Sequence, residues 1–167
     1  MKVISARTVL VSLVCGAVLP ASAATRRVPS EHPTINQGLD ASATGDTVLV
    51  APGVYDQFET RLLGDGFFFS SVAFLKGGVT LLSEAGASQT VLRMDATVAG
   101  PIVLRAFGQV GTATVEGFTV TGTVQGIRGM SYTFGERCVV RDCVFRDLGT
   151  GGTDQLALGG TMSDLEA

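Results

Sequence analysis

Shortages of charge, histidine and lysine exclude several classes of protein. Charged residues make up 16% of the chain and hydrophobic residues 46%, a balance that excludes an intrinsically disordered polypeptide. Lys76 is the only lysine after residue 23, and the sequence has no basic cluster of the kind that nucleic-acid binding requires, so we expect no nucleic acid as a partner. The single histidine, His32, lies far in sequence from the cysteines, which argues against a metal site.

The chain also lacks an apolar run long enough to cross a membrane. Residues 8–19 are largely apolar, but a span requires roughly 20 such residues. Lys2 and Arg7 precede the run, Pro20 ends it, and residues 21–23 (Ala-Ser-Ala) fit a signal-peptidase site. We therefore expect a cleaved signal peptide, a secreted or cell-surface protein, and no membrane span after cleavage. Loss of the two basic residues lowers the formal net charge from −3 to −5.

A short helix is predicted near the start of the mature chain, after an extended segment at residues 26–30. Ile35, Leu39 and Ala43 follow Pro33 at the i, i+4, i+8 spacing of an amphipathic helix, which predicts a helix over residues 33–43. A glycine in its middle costs about 1 kcal/mol relative to alanine, so we expect the helix to depend on tertiary packing.

Beyond the helix the sequence predicts many short strands separated by glycine and small polar residues. The stretch 57–76 is expected to form a long excursion. Its three consecutive phenylalanines, residues 67–69, either fill a core gap or cover an apolar edge, or they form a platform for sugar rings. The predicted strands cover residues 47–51, 79–82, 90–94, 102–105, 114–121 and 138–146, with a last run from residue 161.

A repeat of 25 residues organises the later strands. Residues 115–120 (Val-Glu-Gly-Phe-Thr-Val) correspond position by position to residues 140–145 (Val-Arg-Asp-Cys-Val-Phe). A further 25 residues bring the start of this pattern to Leu165. A fixed period of this length is typical of a solenoid, in which each unit buries its apolar face against the next.

The spacing within the repeat predicts a tight corner between two strands. Val115 and Phe118 are apolar but three residues apart, which breaks strand alternation and requires a turn at Glu116 and Gly117. Gly117 and its counterpart Asp142 are residue types that tolerate left-handed backbone conformations.

Parallel stacking at this period predicts specific neighbours. It would place Phe118 over Cys143 and Val120 over Phe145 inside the protein, about 4.8 Å apart. On the outside it would align three residues of alternating charge: Glu116, Arg141 and Glu166.

Cys138 and Cys143 remain in the mature chain. Five positions apart in a strand–turn–strand segment, they are expected to pack as small apolar residues, because their stacking partners come from other coils. A disulfide between them and a metal site remain open alternatives.

Four segments resemble the pectin lyase-like right-handed parallel β-helix superfamily. Residues 33–55 look like its N-terminal cap, and residues 79–86, 115–122 and 140–145 look like its successive coils. The resemblance implies an all-β protein, a right-handed parallel β-helix (solenoid) with a short N-terminal capping α-helix. The implied organisation is a signal peptide at residues 1–23, a cap and first coil with a long excursion at 24–78, and coils over 79–167.

The resemblance also implies where chemistry would lie. Superfamily members that cleave acidic polysaccharides pair calcium-binding carboxylates with a basic residue, for which the nearby candidates are Asp142, Asp147 and Asp154 with Arg141 and Arg146. Corner and surface positions in the repeat account for these residues, and the sequence shows no aspartate cluster of the hydrolase type. We therefore assign no catalytic residue, no cofactor and no metal ligand.

Two functions remain. The first is a non-catalytic extracellular scaffold or polysaccharide-binding protein, and the alternative is the N-terminal part of a carbohydrate-active enzyme of the polysaccharide lyase, glycoside hydrolase or pectin esterase type. The last residue, Ala167, is equivalent to Asp142 at a corner, so we expect the sequence to be a fragment that is incomplete at its C-terminus. The sequence leaves the ligand and the oligomeric state open.

Overall fold

The computed structural model describes residues 22–64, 66–98, 101–106, 110–122, 127–131 and 137–148, which are mostly strand with one short helix. This agrees with the predicted all-β class. The helix is α1 (Ile35–Asp40), and the strands are β1 (Thr25–Val28), β2 (Thr47–Val50), β3 (Gly53–Tyr55), β4 (Glu59–Leu62), β5 (Phe68–Leu75), β6 (Thr80–Ser83), β7 (Thr90–Arg93), β8 (Pro101–Ala106), β9 (Thr112–Glu116), β10 (Thr119–Gly122), β11 (Arg128–Ser131), β12 (Arg137–Arg141) and β13 (Val144–Leu148).

The strands form three sheets that the chain visits in rotation. The first sheet has the order β1-β2-β6-β9-β12, the second β13-β10-β7-β3, and the third β11-β8-β5-β4. From β6 onward each group of three successive strands makes one pass through the first, second and third sheets. All neighbouring strands pair in parallel except β4 and β5, which are antiparallel.

The predicted register of 25 residues is confirmed in the last two passes. Val115 pairs with Val140 across β9 and β12, and Val120 pairs with Phe145 across β10 and β13. The N–H of Phe118 donates to the sulfur of Cys143, 3.5 Å away, so residues 25 positions apart lie over one another as expected. Glu116 and Arg141, the first two of the three charged residues predicted to align on the outside, also lie in register.

Left-handed backbone at the predicted corner is confirmed as well. Gly117 has a φ of 78° and Asp142 a φ of 48°, so the last two passes turn from the first sheet to the second at equivalent points. A Cβ on Gly117 would lie 3.3 Å from the Cβ of Ser83 in the preceding pass. Glycine therefore meets both the backbone requirement and the close approach of the neighbouring pass.

The core lies between the three sheets and consists of apolar side chains aligned from pass to pass. Val48, Leu81 and Val115 occupy successive positions in the first sheet, and each is no more than 1% exposed. Leu92 and Val120 continue the same arrangement in the second sheet. Each buried side chain of this size contributes roughly 1.5–3 kcal/mol, and parallel register brings all of them to the interior together.

Helix α1 is shorter than the predicted 33–43. It begins after Thr34, whose side-chain oxygen accepts from the N–H of Gln37. Ile35 and Leu39 are buried as expected, but Ala43 lies beyond the helix and is exposed. The helix ends at Asp40 because the chain turns over residues 41–46 to enter β2.

Gly38, unfavourable for helix propensity, is explained by packing. A Cβ at this position would lie 3.1 Å from a methyl group of Val28 and 3.1 Å from one of Val48. The glycine lets the helix backbone approach β1 and β2 more closely than an alanine would allow. The expected dependence of the helix on tertiary contacts is thus met by the first sheet.

Two elements differ from the predicted pattern. The excursion at 57–76 contains a β-hairpin, β4 and β5, and β5 then continues as a parallel strand of the third sheet beside β8. Strand β11 was not predicted from the sequence. The run from residue 161, Glu166 and Asp154 lie outside the described residues.

Within the described residues, no helix is both long enough and apolar enough to cross a bilayer.

Replacement of Phe118 by alanine tests the stacked core. Phe118 is fully buried, so we expect Phe118→Ala to lower the free energy of unfolding by about 3–5 kcal/mol, through lost burial and the cavity left behind. Denaturant titration followed by circular dichroism measures the change. Val110→Ala is the matched control, because Val110 is 92% exposed and should change the value by less than about 0.5 kcal/mol. Equal effects of the two substitutions would contradict the stacking.

Candidate functional site

A small cleft lies on the outer face of the third sheet, where the β4–β5 hairpin meets the end of α1. Its volume is about 150 Å³. Three basic side chains and one carboxylate enter it beside apolar groups, a combination suited to a ligand that carries both negative charge and apolar surface. The lining residues are Asp40, Arg61, Leu63, Phe74, Leu75, Lys76 and Arg105.

Both arginines of the cleft stack on phenylalanine rings. The guanidinium carbon of Arg61 lies 4.6 Å from the ring centre of Phe74, and that of Arg105 lies 4.5 Å from the ring centre of Phe69. The stacks do not join residues that are directly paired: Arg61 is opposite Phe69 across β4 and β5, and Phe74 is opposite Arg105 across β5 and β8. Contacts of this kind contribute about 0.5–2 kcal/mol and hold the guanidinium planes in fixed orientations.

Arg105 is unusual because a cation at this position is almost fully buried. It is 5% exposed, and its Nη1 donates to the hydroxyl of Ser131 in β11 at 2.7 Å. In the sequence it interrupts an otherwise apolar strand at residues 102–106. An arginine inside such a run was the sequence signal for this site, since buried arginines are rare and require specific partners.

Arg61 is held by two carboxylates. Its Nη1 and Nη2 donate to the two oxygens of Asp40 at 3.1 and 2.7 Å, and Nη2 also contacts Glu59 Oε2 at 2.5 Å. Burial lowers the pKa of Arg61, but hydrogen bonds to Asp40 and Glu59 outweigh it and the pKa is raised. Arg61 therefore remains a fixed positive charge with part of its side chain open to solvent.

Lys76 joins the end of α1 to the end of β5. Its ammonium group contacts the carbonyl oxygen of Ser42 and lies 3.4 Å from that of Asp40. Carbonyl groups at the end of a helix attract cations, which accounts for the position of the lysine. The ammonium brings a third positive charge to the cleft.

A buried asparagine positions β5 against the helix. The side chain of Asn36 is 1% exposed, and its amide donates to the Ser71 carbonyl at 3.2 Å and accepts from the Phe74 N–H at 2.8 Å. Within the described residues, β4 pairs with residues 68–71 of β5 and not beyond them, so Asn36 satisfies the strand edge past the hairpin. Sequence reasoning missed this role, although a polar residue next to Ile35 on the apolar side of the helix was a signal for it.

The phenylalanine run at the hairpin is largely exposed. Phe67 is 66% exposed and Phe68 58%, so the expectation that they fill a core gap is wrong. Leu62, opposite Phe68 across the hairpin, is 59% exposed and extends the apolar surface. Phe69 is partly buried beneath Arg105. The first two rings therefore lie at the surface of the hairpin.

Of the acidic and basic residues considered from the sequence, the described ones lie away from the third sheet, at the end of β12 or in and before β13. Asp142 and Asp147 are exposed residues with left-handed backbone, and Arg146 lies 4.0 Å from Asp147 in an exposed pair. Within the described ranges, no group of three or more histidine, cysteine, aspartate or glutamate residues is arranged to hold a metal ion.

Both cysteines pack as the sequence predicted. Cys138 and Cys143 are partly buried against the core and do not form a disulfide with each other. Burial raises the pKa of the Cys143 thiol, which favours its neutral form.

No protein-family model, curated protein or solved structure matches this chain.

Replacement of Asn36 tests its role at the edge of β5. Asn36→Ala would leave the Ser71 carbonyl and the Phe74 N–H without a partner, at a cost of about 1–3 kcal/mol for each buried group. Urea denaturation should show this loss. The control is Gln37→Ala in the same helix, where the side chain is exposed. Indistinguishable midpoints for the two variants would show that Asn36 does not secure the strand.

Proposed function

We propose that this chain is a secreted right-handed parallel β-helix protein that binds acidic extracellular polysaccharide on the outer face of its third sheet and does not cleave it. The observation that carries this function is the cleft in which Arg61, Lys76 and Arg105 meet beside Phe74. The ordered rotation of the chain through three sheets supports the β-helix architecture, as does the resemblance to pectin lyase-like proteins. The signal sequence supports export.

The cleft suits the acidic group of a sugar unit. A guanidinium group binds carboxylate or sulfate oxygens through two parallel hydrogen bonds, and a lysine adds a mobile point charge. Here the stacks on Phe69 and Phe74 already orient both arginines, so little freedom would be lost on binding. This local positive charge contrasts with the net charge of −5 expected for the mature chain, which favours binding at the cleft over the rest of the surface.

Cleft size and surroundings favour a polymer over a free small molecule. The volume of about 150 Å³ is below the roughly 300–1,000 Å³ of pockets that enclose drug-sized ligands. It holds a single charged unit while the polymer continues across the surface. Phe67 and Phe68 lie exposed on the same hairpin and offer apolar faces on which sugar rings can pack.

The competing function is the N-terminal part of a carbohydrate-active enzyme. The two functions differ in one measurable respect, the turnover of a bound polymer. Incubation with pectin and alginate, followed by assays for new reducing ends and for unsaturated products, separates them. Sustained turnover would overturn the non-catalytic proposal.

Removal of one cleft charge tests the binding site. We expect Arg61→Gln to weaken binding to polygalacturonate or alginate by about tenfold or more, because a hydrogen bond to a charged group contributes about 1.5–3 kcal/mol and 1.4 kcal/mol corresponds to tenfold. Calorimetry or affinity electrophoresis at fixed salt concentration gives the measurement.

The matched control is Arg93→Gln. Arg93 is likewise partly exposed and contacts two carboxylates, Asp56 and Asp95, but it lies in the second sheet. This variant should bind as the unsubstituted protein does. Equal losses in both variants, or no binding of any acidic polymer by the unsubstituted chain, would refute the assignment of the cleft.

A further inference from the structure

Ala24 is the residue at which the described structure changes from exposed chain to hydrogen-bonded strand. Ser22 and Ala23 are exposed and outside any strand. Ala24, in contrast, donates its N–H to Asp46 Oδ1 at 2.8 Å, and its carbonyl accepts from the N–H of Thr47 at 2.9 Å. The bond between Ala23 and Ala24 is also the one that the sequence marks for cleavage by a signal peptidase.

Asp46 provides a buried carboxylate at this point. It is 5% exposed, its second oxygen accepts from the Ala43 N–H at 2.9 Å, and Arg26 lies 3.6 Å away. Hydrogen bonds from the backbone of Ala43 and Ala24 lower the pKa of Asp46, with a further contribution from Arg26, so the group is ionised at neutral pH.

Cleavage would change the group that faces this carboxylate. Hydrolysis of the Ala23–Ala24 amide adds one water across the C–N bond, leaving a carboxylate on Ala23 and, after protonation, an α-ammonium on Ala24. The nitrogen that donates to Asp46 as a neutral amide then carries a positive charge. Hydrogen bonds between ionised partners are roughly twice as strong as those between neutral ones.

We infer that removal of the signal peptide after Ala23 creates an ion pair between the new α-ammonium of Ala24 and the carboxylate of Asp46, which fastens β1 to β2. This inference rests on the export included in the proposed function. Among the described strands, β1 pairs only with β2, and it carries the buried Val28, so its attachment protects the start of the core. Processing thereby couples export to the stability of the folded chain.

The ion pair has a defined pH dependence. An unperturbed α-amino group has a pKa of about 7.7–8.0, and a carboxylate partner raises it in the folded state. The stabilisation is therefore fully present below about pH 7.7 and is lost as the pH rises through the raised value. Among the described residues, Arg26 is the other charged group in contact with Asp46, while β2 and β6 contribute Thr47 and Thr80, which do not titrate in this range.

Two forms of the mature chain test the inference. One begins at Ala24, and the other retains Ser22 and Ala23 in front of it, which moves the ammonium away and restores the amide. At pH 6.5 we expect the form beginning at Ala24 to have a melting temperature higher by about 2–4 °C. At pH 9.5 the difference should largely disappear. No difference at pH 6.5, or the same difference at both values, would overturn the ion pair.

Asp46→Asn in both forms provides the second comparison. The difference between the two N-termini should vanish in this variant, and its persistence would show that Asp46 is not the partner. If Asp46→Asn does not fold, the pH comparison in the native sequence decides. Mass spectrometry of the exported chain tests processing separately: a start at Ala24 supports it, and another start overturns the coupling to export. Loss of polysaccharide binding would leave these results unaffected.

Discussion

Parallel, in-register pairing between successive passes is the constraint on which the rest of the structure depends. It fixes the neighbour of every inward side chain, so that Val48, Leu81 and Val115 meet in one buried row. A slip of one residue would turn each strand's apolar side chains outward, which makes the register costly to change. In the last two passes, the left-handed corner at Gly117 and Asp142 maintains it by turning the chain at equivalent positions. The loops between strands do not have to keep this register, so extra residues can be inserted in them.

The candidate site is built from one such insertion. The β4–β5 hairpin adds an antiparallel strand at the edge of the third sheet and places Arg61 over the outer face of β5. Asn36 hydrogen-bonds backbone groups of β5 beyond the hairpin, so β4 covers the first half of the strand edge and the helix covers the second. The hairpin and helix together bury Phe74 and Arg105 on a surface that would otherwise face solvent. Function is thus proposed where the regular passes are interrupted, since only there do side chains from several elements converge outside the core.

The sequence predicted the repeated part of this molecule and missed the part that occurs once. Residues 115–120 and their counterparts 25 positions later place apolar residues inside and a left-handed residue at the corner in the same order, so the sequence offered two copies of one pattern to compare. The β4–β5 hairpin has no second copy, and its phenylalanines had to be interpreted by composition, which favours burial. Asn36 shows the same difficulty: a polar residue on a helix becomes understandable only when the strand edge it satisfies is known. Arg105 was detectable as a cation within an apolar strand, but its stacking on Phe69 depends on strand pairing that the sequence does not specify.

The carboxylates around Arg61 determine how a polyanion would be bound. An acidic sugar that reaches the cleft meets the guanidinium of Arg61, which already contacts Asp40 and Glu59. The net binding free energy is therefore the difference between the new ion pairs with the sugar and the existing ones with these carboxylates. Each new ion pair replaces part of an existing one, so a single sugar unit would bind weakly. A polymer presents the same group many times, and rebinding along the chain raises the effective concentration at the cleft. Under the proposed function, this charge arrangement favours long acidic polymers over free sugars, in agreement with a cleft of about 150 Å³ that is too small to enclose a larger ligand.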